Sequence, residues 1–127
     1  VSFEELLKRS DVISIHCPLT EETWHMVNKE TIHKMKDGVI LINTARGDII
    51  DEEALCDALT SHKVYAAGLD VVSGEPRKTK SKIFYCNNAL ITRHIAWLPK
   101  EARLRAVDLA VENLVNWIEG HPTSVIH

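Results

Sequence analysis

The chain has 127 residues, 45% of them hydrophobic and 26% charged, which is enough apolar material for a globular protein with a real core. Its formal net charge of −3 argues against a nucleic-acid partner, which calls for a basic field. No apolar run approaches a membrane span. The three cysteines, Cys17, Cys56 and Cys86, are odd in number and far apart in sequence. They fit neither a disulfide framework nor a zinc spacing, so the expected compartment is a reducing cytoplasm. No His/Cys/Asp/Glu cluster has the spacing of a metal site, and none is expected.

The first residues, Val1-Ser2-Phe3-Glu4-Glu5, are acidic and lead directly into a helix pattern, unlike a signal peptide. Valine in first place suggests a chain that begins inside a longer protein. Ser2 and Glu5 have the spacing of a capping box, for a helix through Leu6 and Leu7 to about Ser10. Val12-Ile13-Ser14-Ile15-His16 reads as a β-branched strand, stopped by Cys17-Pro18-Leu19. Thr20 to Thr23 predicts a short helical segment, and Asn28 opens another through Ile32, Met35 and Lys36. Asp37-Gly38 marks a turn.

Val39-Ile40-Leu41-Ile42-Asn43-Thr44-Ala45-Arg46-Gly47 is the central stretch. Its unbroken apolar run predicts a strand buried on both faces, as in a parallel sheet covered by helices. At its end the chain delivers an arginine beside a glycine. Open α/β sheets bind ligands outside the carboxyl ends of their strands. An arginine placed there either holds a carboxylate or phosphate through two parallel hydrogen bonds or simply caps a loop.

Asp51-Glu52-Glu53 starts a helix whose stripe is Leu55, Ala58 and Leu59. Val64 to Leu69 predicts the third strand, followed by Asp70 and Gly74-Glu75-Pro76. Arg77 to Lys82 reads as a solvated basic loop. Ala89-Leu90-Ile91 predicts a fourth strand, ending in Thr92-Arg93-His94. Pro99 opens the longest helix, to about Glu119, with Val107, Ala110, Val111, Leu114 and Ile118 on one face and Gly120 as its stop. Strand–helix units at this repeat length predict an α/β fold with a parallel sheet and flanking helices.

Parallel topology puts every strand end on one rim. His16-Cys17-Pro18, Asn43 to Gly47, Asp70 with Glu75, and His94 would all collect there. An arginine fixes an anion, and a histidine moves a proton near neutral pH. A glutamate holds the other histidine nitrogen and stabilises the imidazolium. Each group also has a plain structural alternative: turn chemistry for Glu75, a loop cap for Asp70, a surface side chain for His94. His16 reads as a strand-end or supporting residue. His25, His33, His62, His121 and His127 read as surface groups, and Trp24 and Trp117 as packing residues. Trp97 either walls a pocket or packs.

Taken together, Ser10-Asp11-Val12-Ile13-Ser14-Ile15-His16-Cys17-Pro18-Leu19-Thr20, Asn43 to Gly47, Gly68-Leu69-Asp70-Val71, Gly74-Glu75-Pro76 and Thr92-Arg93-His94 resemble, in order and spacing, the D-isomer-specific 2-hydroxyacid dehydrogenases. Ala66 to Ser73, His94-Ile95-Ala96-Trp97 and Pro99 to Arg103 look most like the glycerate dehydrogenase (hydroxypyruvate reductase) branch. The resemblance covers essentially the whole chain. It implies a partial Rossmann-type parallel sheet and hydride transfer between NAD(H), with NADP open, and a small 2-hydroxy or 2-keto acid. Residues 1–127 would be the second half of the NAD(P)-binding domain, with the C-terminal helix at about 99–119 and no substrate domain. By the same resemblance, Arg46 binds the substrate carboxylate and polarises its carbonyl. His94 exchanges the proton and Glu75 pairs with it. Asp70 faces the nicotinamide carboxamide, and Cys17, Pro18, Thr44 and Ala45 line the cofactor beside Arg46 and His94.

The chain departs from the family pattern in three places. Arg93 stands where the family usually has proline before its histidine, which frees the backbone and brings a cation close. Lys78, Lys80 and Lys82 replace apolar packing within Arg77 to Asn88. The glycines at 38, 47, 68, 74 and 120 make no G-x-G-x-x-G. The chain thus aligns from near the fourth strand of the dinucleotide fold, without the pyrophosphate loop, and on its own is expected to be inactive. Two other outcomes stay open: a dinucleotide-sensing, corepressor-like interaction module, and a non-catalytic truncated oligomer. The unpaired edge of Val12 to His16 predicts a homodimer or higher oligomer.

Overall fold

In the computed structural model, which describes residues 1–74 and 81–125, helix α1 (Phe3–Arg9) begins where the Ser2 hydroxyl accepts the Glu5 amide proton. The reciprocal arm expected of Glu5 goes elsewhere: its carboxylate pairs with Arg9 one turn on, at 2.6 Å. Strand β1 (Val12–Ile15) follows. Thr20 to Thr23 forms a turn where the sequence predicted helix. The Thr23 hydroxyl explains the difference, because it donates to the Pro18 carbonyl at 2.7 Å and accepts from the Thr20 amide at 2.7 Å. Those bonds close the chain on itself before a helix can propagate. Helix α2 (Lys29–Lys34) carries a full capping box between Asn28 and Thr31. Strand β2 (Val39–Asn43) and helix α3 (Glu52–Thr60, capped by Asp51) come next. Strand β3 (Val64–Leu69), a 3₁₀ turn at Lys82–Tyr85, strand β4 (Ala89–Ile91) and helix α4 (Lys100–Ile118) complete the order.

The four strands form one parallel sheet in the order β1-β2-β3-β4. A register shift beside Val39 and Ile40 explains why Val64 and Ala67, three apart, are both buried. Ile13, Leu41 and Ala67 pair across one row, and Ile15, Asn43 and Leu69 across the next. All six are buried. α2 touches α1 and α3, and α3 lies on β3, so the core sits between that sheet face and the helices. Its helical side is Leu7, Ile32, Met35, Leu55 and Leu59.

Burial of β2 on both faces is not what the structure shows. Val39 and Leu41 are fully buried, but Ile40 and Ile42 on the alternate face are only half-buried. Their row neighbours Val12 and Leu90 are exposed, Leu90 at 73%. The apolar run reported parallel-strand chemistry correctly, but periodicity cannot count covering layers.

The chain divides into two compact units, residues 1–94 and 95–127. In the second, α4 ends in a Schellman motif. The His121 amide donates to the Asn116 carbonyl at 2.8 Å, the Gly120 amide donates to that of Trp117 at 3.2 Å, and Gly120 has φ of +80°. The stripe of Val107, Val111, Leu114 and Ile118 forms on this helix but remains exposed, as do Trp117 and, in the first unit, Trp24. Neither tryptophan is buried in the core as its apolar ring suggested.

The one-sided core makes a differential prediction. Leu41→Ala should lower unfolding free energy by about 2–5 kcal/mol in a urea titration. Leu90→Ala should stay within about 0.5 kcal/mol. Equal losses would mean that both faces are packed.

Candidate active site

The carboxyl ends of all four strands meet at one rim, and polar backbone ties fix its loops. Asn43, 1% exposed at the end of β2, is the first. Its side-chain carbonyl accepts the Ala45 amide proton at 3.0 Å, and its side-chain NH₂ donates to the Arg46 carbonyl at 2.9 Å. The segment Thr44-Ala45-Arg46 is thereby folded over the strand end, an Asx-type turn. Arg46 emerges exposed, its guanidinium donating to the Ala45 carbonyl at 2.6 Å.

Gly47 follows because nothing larger fits. A Cβ there would lie 2.5 Å from the Ser73 amide nitrogen and closer still to the Val72 carbonyl. This close approach joins the loop after β2 to the loop after β3. Ser73 strengthens the junction: its hydroxyl donates to the Asp48 carboxylate, and its amide donates to Glu52 at 3.3 Å.

Asp70 is the buried carboxyl of the rim. Its amide donates to the Asn43 carbonyl at 2.9 Å, and its own carbonyl accepts from the His94 amide at 2.8 Å. Its carboxylate accepts the Thr92 hydroxyl proton. One residue therefore ties β2, β3 and the exit of β4. His94 leaves that tie with φ of +55°, a left-handed conformation that costs free energy outside glycine and clusters at functional sites.

Cys17, Pro18, Thr44, Ala45 and Arg46 line one hollow with His16 and Leu19, with a volume of about 520 Å³. That is within the range of small-ligand sites. His16 is held by Ser14 at 2.7 Å, in keeping with a supporting role. A larger groove of about 870 Å³ lies between α2 and α3, lined by Ile32, Ala54 and Ala58 among others. It gathers no strand-end chemistry, so the rim is the better candidate. Among the described residues no group of three or more His, Cys, Asp or Glu could hold a metal ion, and no helix is long and apolar enough to cross a membrane.

The rim contains Arg46, Asp70, His94 and the hollow-lining residues. Glu75, together with Arg77, Lys78 and Lys80 of the basic loop, falls outside the described residues. Asn43, Gly47, Ser73 and Thr92 lay within the quoted motifs but were given no role of their own from sequence. For Asn43 the signal was available, since an asparagine closing a strand before a Gly-containing loop favours such a turn. His25, read as a surface group, stacks on Trp24, with ring centroids 3.7 Å apart. At the opposite edge of the sheet, Lys63 lies 2.6 Å from Asp37 and holds that carboxyl below its usual range. This is a structural ion pair before the strands begin, so the perturbed group does not mark the site.

Residues 1–96 match the family model described as the D-isomer specific 2-hydroxyacid dehydrogenase NAD-binding domain. A hydroxypyruvate reductase of Blautia hydrogenotrophica is 54% identical over the whole chain, which spans 39% of that protein. Among solved structures, an acyclic imino acid reductase in complex with NADPH and D-Arg superposes with a TM-score of 0.88 at 34% identity, covering all of this chain and 40% of that one. A D-lactate dehydrogenase from Aquifex aeolicus, complexed with NAD and lactic acid, superposes with a TM-score of 0.77 at 40% identity, covering 95% and 41%. The chain thus spans about two fifths of the length of these relatives.

The Asn43 brace can be tested by stability. Asn43→Asp removes the donor to Arg46 and sets a carboxylate oxygen against that carbonyl. Unfolding free energy should fall by about 1–3 kcal/mol. A loss below about 0.5 kcal/mol would mean that the loop holds itself.

Proposed function

The chain belongs to the D-isomer specific 2-hydroxyacid dehydrogenase family through its NAD-binding domain, and we propose that it forms the catalytic rim of a protein that interconverts a small 2-hydroxy acid and its 2-keto acid, of the glycerate/hydroxypyruvate kind. One observation carries the reading: Arg46, Asp70 and His94 leave adjacent parallel strands at the same edge, linked through Asn43 and the Asp70 backbone.

Each residue has a task that its chemistry suits. The Arg46 guanidinium takes the substrate carboxylate by two parallel hydrogen bonds, exchanging the neutral Ala45 carbonyl for a charged partner. His94 gives a proton to the carbonyl oxygen during reduction and recovers it during oxidation. The family resemblance gives Glu75 the task of pairing with the other nitrogen of that ring. Thr92 and the β3–β4 tie fix Asp70, whose place beside the His94 amide suits it to orient the cofactor's carboxamide. Cys17, Pro18, Thr44 and Ala45 supply a wall at the hollow. The bound nicotinamide supplies the hydride.

The hollow is sized for one end of a dinucleotide, and the sequence holds no G-x-G-x-x-G to bind the pyrophosphate at a helix N-terminus. NAD is the cofactor this reading takes, with NADP open. In a protein joining this chain to such a segment, His94→Asn should lower kcat for hydroxypyruvate about 10²–10⁴-fold with little change in NADH affinity. Arg46→Gln should act mainly by raising KM for the keto acid. Full activity in the His94 variant would overturn the assignment.

A further inference from the structure

The sequence separates Cys56 from Cys86, but the fold brings them together. Cys56 lies on the inner side of α3 and is 6% exposed. Cys86 closes the 3₁₀ turn Lys82–Tyr85, half-buried, and packs against the core cluster that contains Cys56. α3 lies on that turn. The Lys82 ammonium bridges to the Glu53 carboxylate at 3.1 Å and clamps the two segments. Cys86 is near enough to help hold the Cys56 proton, and Cys86 Sγ lies 3.8 Å from the Lys82 carbonyl oxygen, to which it donates. Cys17 belongs to the hollow at the end of β1 and takes no part in this pair.

We propose that Cys56 and Cys86 form a dithiol site that a hydroperoxide converts into an intramolecular disulfide. Burial, reinforced by the neighbouring Cys86, pushes the Cys56 thiol up to about 12. Cys56 is therefore protonated at neutral pH and is the second sulfur to react, whereas half-buried Cys86 meets the oxidant. The Cys86 thiol releases its proton as its sulfur attacks one peroxide oxygen. The O–O bond breaks, an alcohol leaves with the thiol's proton, and Cys86 becomes a sulfenic acid. The Cys56 sulfur then attacks Cys86 Sγ, the S–O bond breaks, and water leaves carrying the Cys56 proton. In sum, two thiols and one hydroperoxide give one disulfide, one alcohol and one water. The thiols lose two electrons and the peroxide gains them.

The new bond would staple α3 to the turn that launches β4. The Ala89 amide already donates to the Cys86 carbonyl at 3.1 Å, and β4 exits into Thr92 and His94. A cross-link between these segments restricts the unfolded chain and stabilises the folded one where its geometry is unstrained. The site rests on the packing of α3 against the 3₁₀ turn and is independent of any dehydrogenase activity.

The test treats the folded 127-residue chain with tert-butyl hydroperoxide, then digests it without reductant for mass spectrometry. The expected result is a linked peptide pair containing Cys56 and Cys86, with Cys17 still alkylatable. Tm should rise and return on reduction. The Cys17→Ser variant should give the same linked pair, and Cys56→Ser should leave a sulfenic acid at Cys86 that dimedone traps. Four results would overturn the proposal: no linked pair, a pair containing Cys17, disulfide-linked dimers in its place, or sulfinic acid at Cys86 with Cys56 still reduced. The digest of the unmutated chain decides the matter even where a variant fails to fold.

Discussion

The side-chain amide of Asn43 is out of reach of water, and both of its polar ends are used on the three residues that follow it. A buried amide left unpaired costs free energy comparable to a lost hydrogen bond, so the turn over β2 is strongly specified. The rest of the rim builds on it. The Asn43 carbonyl receives the Asp70 amide, and the Asp70 carbonyl receives the His94 amide. Arginine, aspartate and histidine are thus fixed by a chain of backbone ties running across β2, β3 and β4. The glycine at 47 lets the neighbouring loops touch, and Ser73 locks them through Asp48 and Glu52.

Beneath the rim, the core supplies the rigidity these ties need. Ile13, Leu41 and Ala67 form a continuous buried row under α2 and α3, and Ile15 and Leu69 continue it towards the strand ends. Sites on rigid elements hold their geometry better than sites on free loops. The other sheet face and the stripe of α4 both retain exposed apolar side chains. The 127 residues thus organise strand-end chemistry more completely than they bury apolar surface.

Strand identity was legible in the sequence because β-branched runs such as Val12 to Ile15 and Val39 to Ile42 are bounded by proline, glycine and asparagine. The helix starts at Ser2, Asn28 and Asp51 were legible for the same local reason: capping residues satisfy amides within three positions. That Arg46, Asp70 and His94 share one edge was legible because parallel topology brings all strand ends to the same side of the sheet. What stayed hidden depends on partners distant in sequence. Ser73 with Asp48, Thr92 with Asp70 and Gly47 against Val72 are tertiary juxtapositions, and no window of sequence contains both members. The missed turn at Thr20 to Thr23 is instructive in the other direction. The Thr23 hydroxyl closes a turn onto the Pro18 carbonyl, a bond within six residues that the helical reading of this segment did not weigh.

The architecture separates two tasks that a dehydrogenase combines. In the proposed reading, binding an anion and moving a proton fall to the strand-end groups Arg46 and His94. Holding a dinucleotide needs a pyrophosphate cradle, which the glycines of this sequence do not form. The most direct test is a fluorescence titration of the folded 127-residue chain with NADH, followed by hydroxypyruvate. The account predicts no saturable binding at micromolar NADH and no oxidation of the nucleotide. Micromolar affinity with turnover would contradict it, and would mean that the rim holds the cofactor without the cradle.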